Sequence, residues 1–221
     1  MSRRVGILGG SFDPIHLGHL RSAEEVREAF TLDAVAFVPA NRPPHKPDRR
    51  LADGRQRLAM VELAVVGNPA FYASSLEIDR GGVSYSIDTV EALTTIERGM
   101  ELFFIVGIDA FGEMQTWKDA ARLFSLANVV VTNRPPRASD TSIEHLPVAA
   151  RQAFCYDPRT LSYRHRSGTR LHFLPITALD ISATVLRERV RRRQSIRYLV
   201  PPGVEQYILE HGLYRSGESI G

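Results

Sequence analysis

The sequence predicts an α/β protein built on a doubly wound parallel sheet. Short runs of β-branched and aromatic residues alternate along the chain with longer segments of helical period. The runs are continuously apolar, as strands covered by helices on both faces require. A glycine-rich string, GGSFDPIHLGH (9–19), lies where the first run ends and the first helical segment begins, the place where open parallel sheets bind ligands.

The elements follow in order. VGIL (5–8) reads as the first strand, and Leu17 to Phe30 as the helix that returns across it. AVAFVP (34–39) leads into a helix from about Asp53 to Val65, ASSLEI (73–78) into one from Ser86 to Arg98, and ELFFIVG (101–107) into one from about Trp117 to Ser125. NVVVT (128–132) is the fifth strand. From about 133 to 170 the pattern loosens: RPPR, YDP and HRSG are turn signals, and only Ile143 to Ala153 has helical character, so the segment reads as an irregular excursion. RLHFLPI (170–176) resumes strand character. LDISATVLRERVRRR (179–193) and PPGVEQYILEHGLY (201–214) read as closing helices, the second opening on prolines and ending near Gly212. The whole predicts a Rossmann-like single domain over 1–215 with a short tail, 216–221.

Composition sets limits. With 221 residues, 43% of them hydrophobic, the chain can bury one sizeable core. The net charge of +3 is too mild to imply a polymer-binding surface, so no nucleic-acid partner is expected; the basic run RERVRRRQSIR (187–197) reads as a solvated helix face. No apolar run approaches the ~20 residues that span a bilayer. The one cysteine, Cys155, has no intrachain partner, and no secretory apolar segment follows the basic start. These features lead us to expect a cytoplasmic protein without membrane attachment; a homo-oligomer is compatible with all of them.

The opening string suits phosphate. Gly9 and Gly10 let backbone amides approach an anion, Asp13-Pro14 turns the chain, and the helix that follows aims its free N–H groups and positive dipole end at the loop. There is no Gly-Lys pair for a P-loop and no Gly-x-Gly for a dinucleotide fingerprint. His16 and His19, three apart at a helix start, present both imidazoles to one side, and Gly18 keeps a side chain out of the path of a polyphosphate. An isolated histidine pair serves equally as capping or packing residues, and no HExxH or cysteine cluster accompanies it to suggest zinc. The full string at a strand-to-helix junction favours phosphate chemistry.

GGSFDPIHLGH resembles the HxGH signature of the nucleotidyltransferase superfamily, and ISATVLR (181–187) resembles its second signature, ISSTxxR. PANRPPHK (39–46), SYSIDTV (84–90), VGIDAF with Trp117-Lys118 close behind, and YLVPPGVEQYILEHGLY (198–214) are similar to the bacterial nicotinate-nucleotide adenylyltransferases. The likeness spans nearly the whole chain outside 133–170. It implies transfer of adenylate from ATP to nicotinate mononucleotide in NAD biosynthesis, with Mg²⁺ held by the ATP phosphates and not by side chains. It further implies that Gly9, Gly10, Ser11, Phe12, Ile181, Ser182 and Thr184 bind ATP, and that His16, His19 and Arg187 meet its phosphates as catalytic groups. Lys46, Ser84, Tyr85, Ser86, Asp109, Trp117 and Arg134 would bind the acceptor mononucleotide. Ala183 departs from the second signature, removing a hydroxyl at its middle position.

Two rival readings accompany this one. The same ATP site could serve nicotinamide mononucleotide, phosphopantetheine or a cytidylyltransferase's alcohol phosphate. Alternatively the chain is a non-catalytic nucleotide sensor or an RNA-binding protein, since fold does not fix function.

Overall fold

A computed structural model describes residues 2–44, 51–96, 99–133, 143, 144, 146, 148–177 and 179–215. Its strands are β1 (Arg4–Gly10), β2 (Ala34–Pro39), β3 (Phe71–Ala73), β4 (Glu101–Gly107), β5 (Asn128–Asn133), β6 (Phe154–Asp157), β7 (Ser162–His165) and β8 (Arg170–Pro175). Its helices are α1 (Leu17–Ala29), α2 (Gly54–Val65), α3 (Leu76–Arg80), α4 (Ser86–Ile96), α5 (Ile108–Gly112), α6 (Ala120–Leu126), α7 (Val148–Arg151), α8 (Ala183–Arg191) and α9 (Pro202–Glu210). The strands form one eight-stranded sheet in the order β3-β2-β1-β4-β5-β8-β7-β6. Every pairing from β3 to β8 is parallel, and β7 and β6 are added antiparallel.

The two-residue side-chain period of each strand divides the interior into two cores. Leu8, Val35, Phe37, Phe103, Ile105 and Val130 face one side, where they meet Val26 of α1, Met60 and Val61 of α2, Leu186 of α8 and Ile208 of α9. Val5, Ile7, Ala36, Val38, Phe104, Val129 and Val131 face the other, against Val90 of α4, Phe111 of α5 and Phe124 of α6. At Gly6 a Cβ would come within 3.0–3.1 Å of Leu32, Ile105 and Val35. A glycine there lets the layer close over the central strand.

Most expected elements form within a few residues of their sequence bounds, β2 and β4 among them. Asp53 caps α2: its carboxylate accepts from Arg55 N–H at 2.8 Å. Three expectations need correction. ASSLEI (73–78) is not a strand, because β3 ends at Ala73 and a helical turn, α3, follows. There the Ser75 hydroxyl bonds the Asp79 carboxylate at 2.5 Å, the local side-chain bonding by which serine and aspartate compete with a ladder. The 133–170 excursion is not irregular throughout, since β6 and β7 extend the sheet within it. Their hairpin is closed by Arg170, which bonds Asp157, Thr160 and Ser162 at 3.2, 2.7 and 3.0 Å. The helix expected from Trp117 starts at Ala120, after a 3₁₀ turn at Met114–Thr116 and a left-handed Asp119. Residues 216–221 of the expected tail lie outside the described residues.

The chain runs outward from β1 through β2 to β3 and then crosses back to β4 on the other side of β1. This reversal opens a crevice at the carboxyl ends of β1 and β4, as such switch points do. No helix among the described residues is long and apolar enough to cross a membrane.

On β8, burial, with Arg170 and Arg4 nearby, depresses the His172 pKa to about 4, and its ring packs on Phe30 at 4.7 Å. The native state therefore refuses a proton that the unfolded chain accepts at about 6.5. Stability from this group is present above about pH 6.5 and is lost as pH falls toward the native value. Urea unfolding near pH 7 and pH 5 should show a smaller loss of stability in His172→Leu than in the parent protein. An equal loss in both would mean that His172 titrates normally.

Candidate active site

Two clefts meet at the carboxyl ends of the central strands. The first, about 390 Å³, is bounded by Gly9 and Gly10 of β1, by Val106 and Gly107 of β4 and by Thr132 of β5, with Trp117, Ser84, Ser86 and Glu77 along its wall. The second, about 490 Å³, lies between the loop leaving β1 and the start of α8. Gly10, Ser11 and His19 line both clefts, so one ligand can extend from one into the other.

The second cleft gathers Gly10, Ser11, Phe12, His16, His19, Ile181, Ser182, Thr184 and Arg187 from the two sequence segments expected to act together. His16 is the N-cap of α1 and is buried; its ring stacks on that of His19 with centroids 3.7 Å apart. The His19 Nδ1 accepts the His16 backbone N–H at 3.3 Å. A neutral ring that accepts at Nδ1 carries its proton on Nε2, so His19 has an N–H donor at its outer edge. A Cβ at residue 18 would stand 3.1 Å from the His16 Nδ1. Gly18 thus makes room for the His16 imidazole. Phe12 adopts a left-handed φ of 46° and sets its ring edge-on to His19 at 5.1 Å. Such a conformation costs a side-chain-bearing residue about 1–2 kcal/mol and persists only where its surroundings hold it.

Those surroundings centre on Asp13, which is 2% exposed. Its Oδ1 accepts from the Tyr214 hydroxyl at 2.8 Å and from Ala52 N–H at 3.1 Å. Its Oδ2 lies 3.4 Å from Arg187 Nη1, and the same nitrogen donates to the Asp13 carbonyl at 2.6 Å. Arg187 Nη2 donates to Thr184 Oγ1 at 3.1 Å. Arg187, expected as a phosphate ligand, thus also ties α8 to the first loop across 174 residues of sequence. Burial, with the Asp13 charge and hydrogen bond behind it, pushes the Tyr214 phenol far above its ordinary pKa, which keeps it a donor.

The acceptor-side expectations fare unevenly. Ser84, Ser86 and Trp117 line the first cleft, whereas Asp109 lines the second, at the start of α5. Tyr85 is not among the lining residues; it packs against the core, with Lys118 Nζ 4.9 Å from its ring centroid. Lys46 and Arg134 lie outside the described residues. Sequence reasoning missed the carboxylate role of Asp13, together with Glu77, Arg57 and Tyr214. Glu77 is buried in the first cleft and accepts the Thr89 hydroxyl at 2.5 Å; burial raises its pKa. It sits in the segment misread as a strand. Arg57 carried a detectable signal, because it occupies the same helical stripe as Val61 and Val65. Among the described residues no group of three or more His, Cys, Asp or Glu is placed to hold a metal ion.

A strand-to-helix loop with stacked histidines, facing a second helix start at the switch point of a parallel sheet, is the arrangement of a nucleotide-binding transferase. The chain belongs to the cytidylyltransferase-like family, whose model matches residues 7–189. Within it the chain belongs with the nicotinate-nucleotide adenylyltransferases. It is 49% identical over 212 residues, 96% of this chain and 99% of the relative, to a probable nicotinate-nucleotide adenylyltransferase of Trichlorobacter lovleyi. It is 47% identical over 215 residues, 97% and 99% of the two chains, to one of Syntrophotalea carbinolica. The fold is similar to that of Plasmodium falciparum nicotinic acid mononucleotide adenylyltransferase complexed with NaAD, with a TM-score of 0.69, 17% identity, and 96% and 97% of the two chains covered.

Tyr214→Phe removes one hydrogen bond to a buried carboxylate. It should lower unfolding stability by roughly 1.5–3 kcal/mol, measured by urea denaturation at neutral pH. A change indistinguishable from zero would remove Tyr214 from the Asp13 network.

Proposed function

We propose that the protein transfers the adenylyl group of ATP to nicotinate mononucleotide, giving deamido-NAD and pyrophosphate, as a step in NAD biosynthesis. The observation that carries this reading is the convergence of the two signature segments on one cleft that opens directly into a second. The names of the 49% and 47% identical relatives, matched end to end, support the choice of acceptor.

The nucleophile is the 5′-phosphate of the mononucleotide. With a second pKa of about 6 it is largely dianionic at neutral pH and needs no general base. One of its oxygens attacks the α-phosphorus of ATP in line; the new P–O bond forms as the bond to the β-phosphate oxygen breaks, and the electron pair leaves with pyrophosphate. Catalysis therefore consists of positioning and charge stabilisation. Triphosphate lies in the second cleft, with the Nε2–H of His19 donating to the α-phosphoryl oxygens as they gain charge, and His16 packed behind it. The main-chain N–H groups at the start of α8, with Ser182 and Thr184, hold the β- and γ-phosphates at a helix N-terminus. That contact comes from the backbone, so Ala183 does not forfeit it. Arg187 adds positive charge behind the same phosphates while it holds Asp13. The pyridine of the acceptor stacks on Trp117 in the first cleft, with Ser84 and Ser86 beside it.

Mg²⁺ suits this site as a companion of ATP, because the Asp13 carboxylate in the second cleft is engaged by Tyr214, Ala52 and Arg187; the ion would be held by phosphate oxygens, whose charge it neutralises. The partners are small-molecule nucleotides.

The deciding experiment offers nicotinate mononucleotide, nicotinamide mononucleotide and phosphopantetheine side by side with ATP and Mg²⁺ and reads pyrophosphate release. The nicotinate form should turn over fastest; a preference for phosphopantetheine would overturn the acceptor assignment. His19→Ala should lower kcat by at least ~10²-fold with ATP affinity much less affected, the behaviour of a transition-state contact. Unchanged kcat with weakened binding would make His19 an anchor only. Trp117→Ala should raise KM for the mononucleotide more than for ATP, and the reverse order would assign the ring to the wrong subsite.

A further inference from the structure

Arg57 of α2 is 1% exposed, and every hydrogen bond that defines its place runs to a main-chain carbonyl. Nε donates to Ala52 O at 2.9 Å, Nη1 to Ser11 O at 2.8 Å and to Ala40 O at 2.6 Å, and Nη2 to Asn41 O at 3.1 Å. One planar guanidinium thus gathers the loop after β1, the loop after β2 and the residue that leads into α2. Burial lowers its pKa from the ordinary arginine value, and the nearby Asp13 charge opposes that shift. An arginine stays charged under such burial, whereas a lysine shifts readily.

The consequence comes from peptide geometry. In a trans peptide the carbonyl and the following N–H point in opposite directions. Where Arg57 draws in the Ala40 carbonyl, the Asn41 N–H is turned the other way, and it donates to Ser84 Oγ at 2.9 Å. Ser84 lines the first cleft, as does Glu77. Where Arg57 draws in the Ser11 carbonyl, the Phe12 N–H is turned the other way by the same rule. Ser11 and Phe12 line the second cleft, beside His19. Ala40 N–H donates to Gly10 O at 2.8 Å, so the two loops are also stitched to each other.

We propose that Arg57 is a positioning residue that sets both nucleotide subsites at once, aiming the peptide at 11–12 toward the triphosphate and the peptide at 40–41 toward the Ser84 wall of the acceptor cleft. It touches neither substrate. This inference rests on the adenylyl-transfer reading for its kinetics and on the cleft geometry for its binding effects.

The test compares Arg57→Lys and Ser84→Ala with the parent protein by steady-state kinetics on ATP and nicotinate mononucleotide, by calorimetric binding of a non-hydrolysable ATP analogue and by thermal unfolding. A lysine's single nitrogen cannot reach four carbonyls spread along a fork, and burial favours its neutral form. Arg57→Lys should unfold cooperatively, lower kcat by ~10²-fold, as small displacements of reacting groups do, and weaken both nucleotides by at least ~10-fold. Ser84→Ala, which breaks only the acceptor arm, should raise KM for the mononucleotide and leave ATP unchanged. A folded Arg57→Lys that changes neither nucleotide, or only one, overturns the proposal, as does a Ser84→Ala that weakens ATP as much as the mononucleotide. If Arg57→Lys does not fold, Ser84→Ala decides alone, and an unchanged acceptor KM refutes the relay. If the parent protein makes no dinucleotide, the adenylyl-transfer reading has failed. Affinity of Arg57→Lys for the ATP analogue still decides the phosphate arm.

Discussion

The contact between Asp13 and Arg187 is the constraint on which the site depends. It joins a loop near the start of the chain to a helix near its end, and both partners are almost fully buried. Neither charge would tolerate that environment alone. A buried carboxylate or guanidinium loses several kcal/mol of hydration, and a pair recovers it only when the remaining polar atoms are also bonded. Here nearly all are: Tyr214 and Ala52 bond Oδ1, and the Asp13 carbonyl and Thr184 engage the guanidinium, while Oδ2 accepts no hydrogen bond and is met by the Arg187 charge at 3.4 Å. The stacked histidines and the left-handed Phe12 sit on the stretch that this network anchors. The loop is therefore shaped by the fold before any ligand arrives, which is what electrostatic catalysis without a covalent step requires.

A second consequence is electrostatic. Arg57 and Arg187 lie behind the first loop, with Asp13 the carboxylate common to both. Both guanidinium groups are set in a poorly solvated region, where charge acts more strongly than at the surface. The amino ends of α1 and α8 add a field suited to a polyanion in the second cleft. No surface excess of basic residues is needed, in keeping with the modest net charge of the chain.

The sheet and its flanking helices were legible in the sequence because the strands are buried on both faces and the helices carry a regular apolar stripe. ELFFIVG and AVAFVP announce themselves. β6 and β7 did not: Cys155, Tyr156 and Arg164 are partly or largely exposed on an antiparallel hairpin at the sheet edge, and four-residue strands carry little periodicity. The site was legible in the parts that follow motifs, such as the histidine pair and the start of α8. It was hidden where a residue acts by supporting another. The role of Asp13 was obscured by the turn it forms with Pro14, and that of Tyr214 by its distance of 201 residues from its partner. The place of Arg57 on an apolar helical stripe marked it as buried, but not what it binds, because backbone carbonyls leave no trace in side-chain identity.

The most direct measurement is a crystal structure with a non-hydrolysable ATP analogue. The account predicts phosphates between the outer edge of His19 and the first turn of α8, with Arg187 still bonded to the Asp13 carbonyl. A triphosphate lodged outside that cleft, or an Arg187 that leaves Asp13 to follow it, would contradict a site preformed by this pair.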